Sequence, residues 1–200
     1  RYPQTAITAL LRHERPHRQT STEFHTRSGP CTLVPMRPLP DSPDGLRHRS
    51  SLVWLMSPEE AERRMALGDA ELAEEVEAQV HSLHGRMALE GPRGAFPMSG
   101  LACERLIGER IALVADAGHF FPPIGAQGLN LGLRDVAQLV DSLDQYGRTD
   151  PGGRKPLAHY DKRRRGDVAI RSLGVDVMNR SLLIHALPVD FMRSAGLAAM

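Results

Sequence analysis

A chain of 200 residues has room for one domain or about two small ones. Its apolar fraction of 41% and charged fraction of 24% fit a globular chain, and a net charge of +1 supplies no field that would argue for a nucleic-acid partner. Its two cysteines, Cys31 and Cys103, give neither a disulfide framework nor a zinc spacing, so a reducing compartment is the default; there is no secretory signal and no apolar run long enough for a membrane span.

The first 56 residues read as β. Thr5–Leu11, Ser21–Thr26, Cys31–Met36 and Ser50–Met56 are short runs of β-formers, divided by the turn chemistry of Ser28-Gly29-Pro30 and Asp41-Ser42-Pro43-Asp44-Gly45. Turns this closely spaced predict an antiparallel sheet. His13-Glu14-Arg15-Pro16-His17 satisfies the zinc-protease pattern H-E-x-x-H in letters only. That chemistry needs both imidazoles on one helix face, and Pro16 opposes a helix. The stretch reads instead as a strand end with a basic, solvated corner.

Ser57-Pro58-Glu59-Glu60 starts a helix, with Ser57 as N-cap, Pro58 in the first turn and Glu60 reaching back. Asp69 can cap a second helix whose apolar stripe is Leu72, Val76, Val80 and Leu83, with Glu71, Glu74, Glu75 and Glu77 outside. His81 and His84 read as surface or rim residues, because no third metal ligand accompanies them. Glu90-Gly91-Pro92-Arg93-Gly94 reads as a hinge, followed by Ala95 to Met98, with Phe96 assigned to core packing.

The most informative stretch runs from Arg110 to Asp135. Ile111 to Ala115 is an apolar run without alternation, as in a strand buried on both faces of a parallel sheet. Asp116 puts a carboxylate at its C-terminal end, the edge where open α/β sheets bind ligands. Pro122, Pro123 and Gly125 turn the chain, and a helix follows Gly128 with Leu129, Leu133, Val136, Val140 and Leu143 at three- and four-residue steps. Free backbone N–H groups and the positive end of the helix dipole then face whatever Asp116 holds. A polyol-linked flavin suits that pairing: ribityl hydroxyls to the carboxylate, the pyrimidine oxygen to the amides of Leu129 and Asn130. Beyond a Gly/Pro loop from Gly147 to Pro156, residues Leu157 to Leu182 predict further helices ending near Pro188, and Lys162-Arg163-Arg164-Arg165 reads as a solvated basic face.

The run D-A-x-H-x-x-x-P-x-G-x-x-G-x-N from Asp116 to Asn130 resembles the second flavin motif of single-component FAD-dependent aromatic hydroxylases. With P-P-I-G-A-Q-G-L-N-L-G-L-R-D, it is most similar to the branch that hydroxylates ubiquinone precursors, the 2-polyprenyl-6-methoxyphenol hydroxylase type. The resemblance implies an α/β (α+β) chain carrying the C-terminal part of a glutathione-reductase-like FAD-binding fold, with an antiparallel-sheet substrate domain. It divides the chain into a substrate domain at 1–94, the C-terminal portion of the FAD-binding domain at 95–147 and C-terminal helices at 148–200. The implied cofactor-binding residues are Asp116, Pro123, Gly125, Gly128, Leu129 and Asn130. Pro123 and Gly125 are also the implied catalytic positions, the Pro123 carbonyl lying on the oxygen side of the ring. His119 is given a packing role over proton transfer, and the resemblance runs Ala95 to Met98 beside the flavin ring, so that Phe96 and Pro97 border the active site as the alternative to core packing alone for Phe96. Two departures are Ala115, where the family usually has Gly or another small residue, and Gly118 in place of Ala, which is expected to loosen the turn slightly.

The implied reaction is hydroxylation of a prenylated phenol through a flavin hydroperoxide, with FAD as cofactor, NAD(P)H as co-substrate and molecular oxygen. The cofactor performs the hard step and the protein orients it. The implied setting is the cytoplasm, at the inner membrane through weak contact with anionic lipids, among other ubiquinone-biosynthesis enzymes. No G-x-S-x-G elbow marks a serine hydrolase. The family's G-x-G-x-x-G loop and the acidic residue that follows it do not occur, and the chain opens at Arg1; the expectation is a C-terminal half that binds FAD weakly or not at all by itself. Two alternatives are a non-catalytic hydroxylase-like binding or assembly protein and another flavin-dependent oxidoreductase, such as a halogenase or geranylgeranyl reductase. The string Gln127-Gly128-Leu129-Asn130 favours the hydroxylase over the latter.

Overall fold

The computed structural model describes residues 2–26, 29–42, 44–120 and 127–183. It divides into two units, Arg1–Met98 and Ser99–Met200.

The first unit is an antiparallel sheet with two helices. Its strands are β1 (Thr5–His13), β2 (Thr22–Thr26), β3 (Gly29–Met36), β4 (His48–Met56) and β5 (Met87–Pro97), in the order β2-β3-β4-β1-β5. Alternation decides which face packs: Ile7, Ala9 and Leu11 of β1, Cys31 and Leu33 of β3, and Leu52, Trp54 and Met56 of β4 are all buried. They meet Ala61 of α1 (Pro58–Ala66) and Leu72 and Val76 of α2 (Asp69–Gln79) in one cluster. Each such aliphatic side chain contributes roughly 1.5–3 kcal/mol on burial. A carboxylate latch joins the helices: Glu75 accepts from Arg63 at 2.6 Å and from Arg64 Nε at 2.9 Å. The Arg64 guanidinium lies 4.2 Å from the centre of the Trp54 ring.

Several local expectations change here. Ser57 does cap α1, accepting from the Glu60 amide at 3.3 Å, but the Glu60 carboxylate turns to Arg64 at 2.6 Å rather than back to the cap. Gly68, not Asp69, is the N-cap of α2, and Glu71 accepts from its amide at 2.9 Å. Residues 90–94 are not a hinge but lie inside β5. Leu10 faces Glu90 while Thr8 faces Gly94, so three residues bulge opposite Ala9, with Gly91 at φ +71° absorbing the turn. Phe96 is 55% exposed and not a core residue, because it falls on the face of the edge strand turned away from the cluster.

In the second unit, α3 (Gln127–Tyr146) packs on α4 (Arg154–Leu183). Short ribbons precede them: β6 (Leu101–Ala102) pairs with β9 (His119–Phe120), and β7 (Ile107–Gly108) pairs with β8 (Ile111–Ala112). The apolar run from Ile111 is therefore not a buried parallel strand. Among the described residues its partner is a two-residue antiparallel strand, and Ile111 is 57% exposed. A central strand needs a neighbour on each side to satisfy its backbone, and this run has one. The predicted end near Pro188 and the loop from 121 to 126 lie outside the described residues.

Candidate functional site

Asp116 lies in a single 3-10 turn, Ala115–Ala117, between β8 and β9. Its side chain is exposed, as are Gly128, Leu129 and Asn130 in the first turn of α3. The first amides of a helix have no intrahelical acceptor, so α3 offers donors and the positive end of its dipole at that place. The turn sits directly on α3. A Cβ built on Gly132 would come within 2.8 Å of Ala115 Cβ, so only glycine lets the helix approach the turn this closely. Pro123 and Gly125 lie outside the described residues.

A buried carboxylate holds this arrangement. Asp135, on α3 and fully buried, accepts from the Ala115 amide at 2.7 Å and from His119 Nε2 at 2.7 Å through one oxygen. Its other oxygen accepts from Arg164 Nε at 2.7 Å. Arg164 also pairs with Asp167, which in turn accepts from Arg171 at 2.9 Å. The two carboxylates hold the Arg164 guanidinium in its charged form against the cost of burial, and its pKa is raised. His119 packs inward, and it also holds the turn.

Ala115 itself adopts φ +51°, the left-handed region where a Cβ is costly. That explains why the resembled motif favours Gly at this place, and the Asp135 bond to the Ala115 amide supports the strained conformation. Gly118 is not a loosening. It is buried, and a Cβ there would lie 2.8 Å from Leu106 Cδ2, so the absence of a side chain tightens the turn against Leu106. Tyr160 of α4 donates to the Leu113 carbonyl at 2.7 Å, and Asp161 accepts from the Leu106 amide at 2.9 Å. The segment before Asp116 is thus also tied to α4.

Sequence reasoning assigned Arg164 to a solvated basic face and gave Asp135 no role. The apolar stripe of α3 is open to solvent: Leu129 is 75% and Leu133 59% exposed, with Val136 and Val140 also exposed. Leu131, Asp135, Gln138 and Ser142 repeat the stripe's spacing two residues later. At 100° per residue, a two-residue offset is about 200°, so the second stripe lies on the opposite face. That face packs, and it is largely polar: Ser142 meets His159 Nδ1 at 2.9 Å. The repeat of polar residues was the available signal.

In the first unit the H-E-x-x-H letters fall where four imidazoles gather. His13 and His84 stack with centroids 4.6 Å apart, and His48 lies 6.1 Å from His13. The strand end and its solvated corner are present, with Glu14, Arg15 and Pro16 exposed beyond β1, but His13 itself is buried, and the surface reading of His84 is corrected: it is buried, since α2 ends before residue 81 and the following turn folds it inward. His13 donates from Nδ1 to the Arg15 carbonyl at 2.8 Å and accepts at Nε2 from Ser50 at 2.9 Å. Both nitrogens are occupied, and among the described residues no group of three or more His, Cys, Asp or Glu side chains could hold a metal. Burial pushes the His13 pKa down to about 4, with His84, His17 and His48 adding to the depression.

Residues 37–170 match the FAD binding domain family, and the chain belongs to it. A ubiquinone hydroxylase, UbiL, of Rhodospirillum rubrum is 33% identical over 201 residues, covering all of this chain and 45% of that protein. The 3-demethoxyubiquinol 3-hydroxylase of Escherichia coli is 28% identical, covering 99% of this chain and 49% of its own length. The chain therefore spans about half the length of these relatives. Among solved structures, the fold matches PqsL of P. aeruginosa, in complex with 2-aminobenzoylacetate, with a TM-score of 0.70 at 22% identity over 100% of this chain and 52% of that one. It also matches CmlS, a flavin-dependent halogenase, at a TM-score of 0.63 and 17% identity, over 82% of this chain and 30% of that one. These two likenesses show the fold, a mixed α/β FAD-binding architecture with an antiparallel sheet.

The residues present fit a flavin. An exposed carboxylate can accept from ribityl hydroxyls, and the open first turn of α3 can donate to an electron-rich ring oxygen.

Proposed function

We propose that the chain is the flavin- and substrate-holding half of an FAD-dependent monooxygenase that hydroxylates an aromatic ring. The substrate class is a polyprenylated phenol of ubiquinone biosynthesis, with NAD(P)H as reductant and oxygen as co-substrate. The observation that carries this reading is that the buried Asp135 ties the turn bearing the exposed Asp116 to α3, the helix whose first turn holds Gly128, Leu129 and Asn130. The names of the two hydroxylase relatives supply the substrate class.

In this reading Asp116 binds the ribityl chain, while Gly128, Leu129 and Asn130 present backbone amides to the pyrimidine oxygen. The α3 dipole favours negative charge on the ring, and Pro123 and Gly125, outside the described residues, are the proposed catalytic positions. The bound flavin supplies oxygen activation with electrons from NAD(P)H. Residues 1–94 serve as the substrate domain, 95–147 as part of the FAD-binding domain and 148–200 as the helices behind it. The exposed stripe Leu129, Leu133, Val136 and Val140 packs against the remainder of the complete enzyme; an apolar strip of this kind is costly to leave in water. No helix among the described residues is long and apolar enough to cross a membrane. The exposed side chains of Lys162, Arg163 and Arg165 offer a weak peripheral contact with anionic lipids.

The test is purification of the intact protein. It should be yellow, and it should oxidise NAD(P)H in the presence of a prenylated phenol and give a product one oxygen heavier. Asp116→Ala should lose the colour. A colourless wild-type preparation that ignores added FAD contradicts the reading.

A further inference from the structure

We infer that Asp135 is a positioning residue for the flavin, acting through the turn that carries Asp116 and touching no cofactor itself; this rests on the flavin reading above. A ligand held between Asp116 and the amides of Leu129 and Asn130 needs a fixed gap between two chain segments. One segment is α3 and the other is the turn Ala115–Ala117. Asp135 is covalently part of the first and accepts from the backbone amide of Ala115 in the second, at 2.7 Å. Ala115 is the direct neighbour of Asp116. The same carboxylate oxygen accepts from His119 Nε2 at 2.7 Å, on the far side of the turn. Both flanks of Asp116 are thus fastened to the helix that supplies the amides.

Three further features mark this as placement and not filler. Asp135 is fully buried, on the polar face of α3, where an aliphatic residue would pack without needing partners. The amide it accepts from belongs to a residue at φ +51°, which an unrestrained alanine would leave. Its charge is balanced by Arg164 Nε at 2.7 Å, so the clamp adds no net negative charge beside a ring that becomes anionic when reduced. Asparagine in its place keeps the shape but has one acceptor oxygen. It cannot serve the Ala115 amide and His119 as before while facing Arg164 with an acceptor.

The test compares three forms of the intact protein: wild type, Asp135→Asn and Ser142→Ala. Ser142 lies on the same face of α3 and bonds to His159 of α4, so its loss weakens the helix pair without touching the turn. Three quantities are read: the FAD dissociation constant by flavin-fluorescence quenching, Tm, and amide exchange at Ala115 without flavin. Asp135→Asn should raise the dissociation constant by about tenfold or more, the loss expected when a charged hydrogen-bonded anchor is weakened. It should also speed Ala115 exchange by a similar factor in the flavin-free protein. Ser142→Ala should lower Tm while leaving both within about twofold. The inference is overturned if Asp135→Asn leaves Ala115 exchange unchanged, or if Ser142→Ala weakens FAD as much as Asp135→Asn. Wild type that does not bind FAD sinks the flavin reading itself, a result separate from the exchange rates.

Discussion

The two units are held together by different physics. Residues 2–98 close an apolar cluster between a five-stranded sheet and two helices, and its largest side chains are buried. Residues 99–183 add to a few buried apolar side chains, Leu106, Leu131, Leu157 and Tyr160 among them, a set of polar ties: the Asp135–Arg164–Asp167 chain, Ser142–His159 and Tyr160–Leu113. Their longest apolar stripe faces outward. The sheet unit has the core of a self-sufficient scaffold, whereas the second unit is organised to place a few groups accurately and leaves apolar surface open. Hydrophobic burial tolerates small shifts; a buried carboxylate with three fixed donors does not.

The contrast breaks most easily in the first unit's core. Trp54→Ala removes a ring that is 1% exposed and stacked under Arg64, and should cost about 3–5 kcal/mol in urea unfolding. A loss under about 1 kcal/mol would mean that the cluster is not what holds this unit.

Acid comes next. The folded state keeps His13 neutral down to about pH 4, whereas the unfolded chain takes up the proton near 6.5. The unfolded state therefore binds more protons between these values, and stability must fall as pH drops from about 6.5 to 4, by at most roughly 3 kcal/mol from this group. His84 and His48 are depressed in the same direction by burial, with Arg47 adding to His48. Unfolding monitored at the single tryptophan, Trp54, at pH 7 and 4.5 should show the loss, and His13→Gln should shrink it.

In the second unit, Gly118→Ala should cost about 1–3 kcal/mol by driving a methyl against Leu106. A neutral result would restore the view of this glycine as a loosening. The smallest expected effect is Leu133→Gln, within about 0.5 kcal/mol on unfolding of this chain, since the side chain is already exposed. A larger loss would place Leu133 in a folded core and erase the contrast.

The sequence was most legible where period and turn chemistry agree. The strands Thr22–Thr26 and Gly29–Met36, the Ser57 cap and the antiparallel character of the sheet could be read because alternation and Gly/Pro punctuation are local signals. The flavin motif was legible as a string, and it picked out Asp116 and the start of α3. What escaped depends on contacts distant in sequence. Asp135 meets Ala115 twenty residues away and Arg164 twenty-nine residues away, and no window around either shows that pairing. The apolar stripe of α3 was legible as a stripe, but its spacing does not say what covers it, and its members are exposed here. His84 escaped because the end of α2 at Gln79 redirects it, turning a surface helix residue into a ring stacked on His13.

The central claim is that Asp116 and the first amides of α3 close on one flavin. Amide exchange of the intact protein with and without saturating FAD tests it most directly. The account predicts marked slowing at Leu129 and Asn130, and loss of that slowing in Asp116→Ala. Bound FAD that leaves both amides exchanging at their free rate would contradict it.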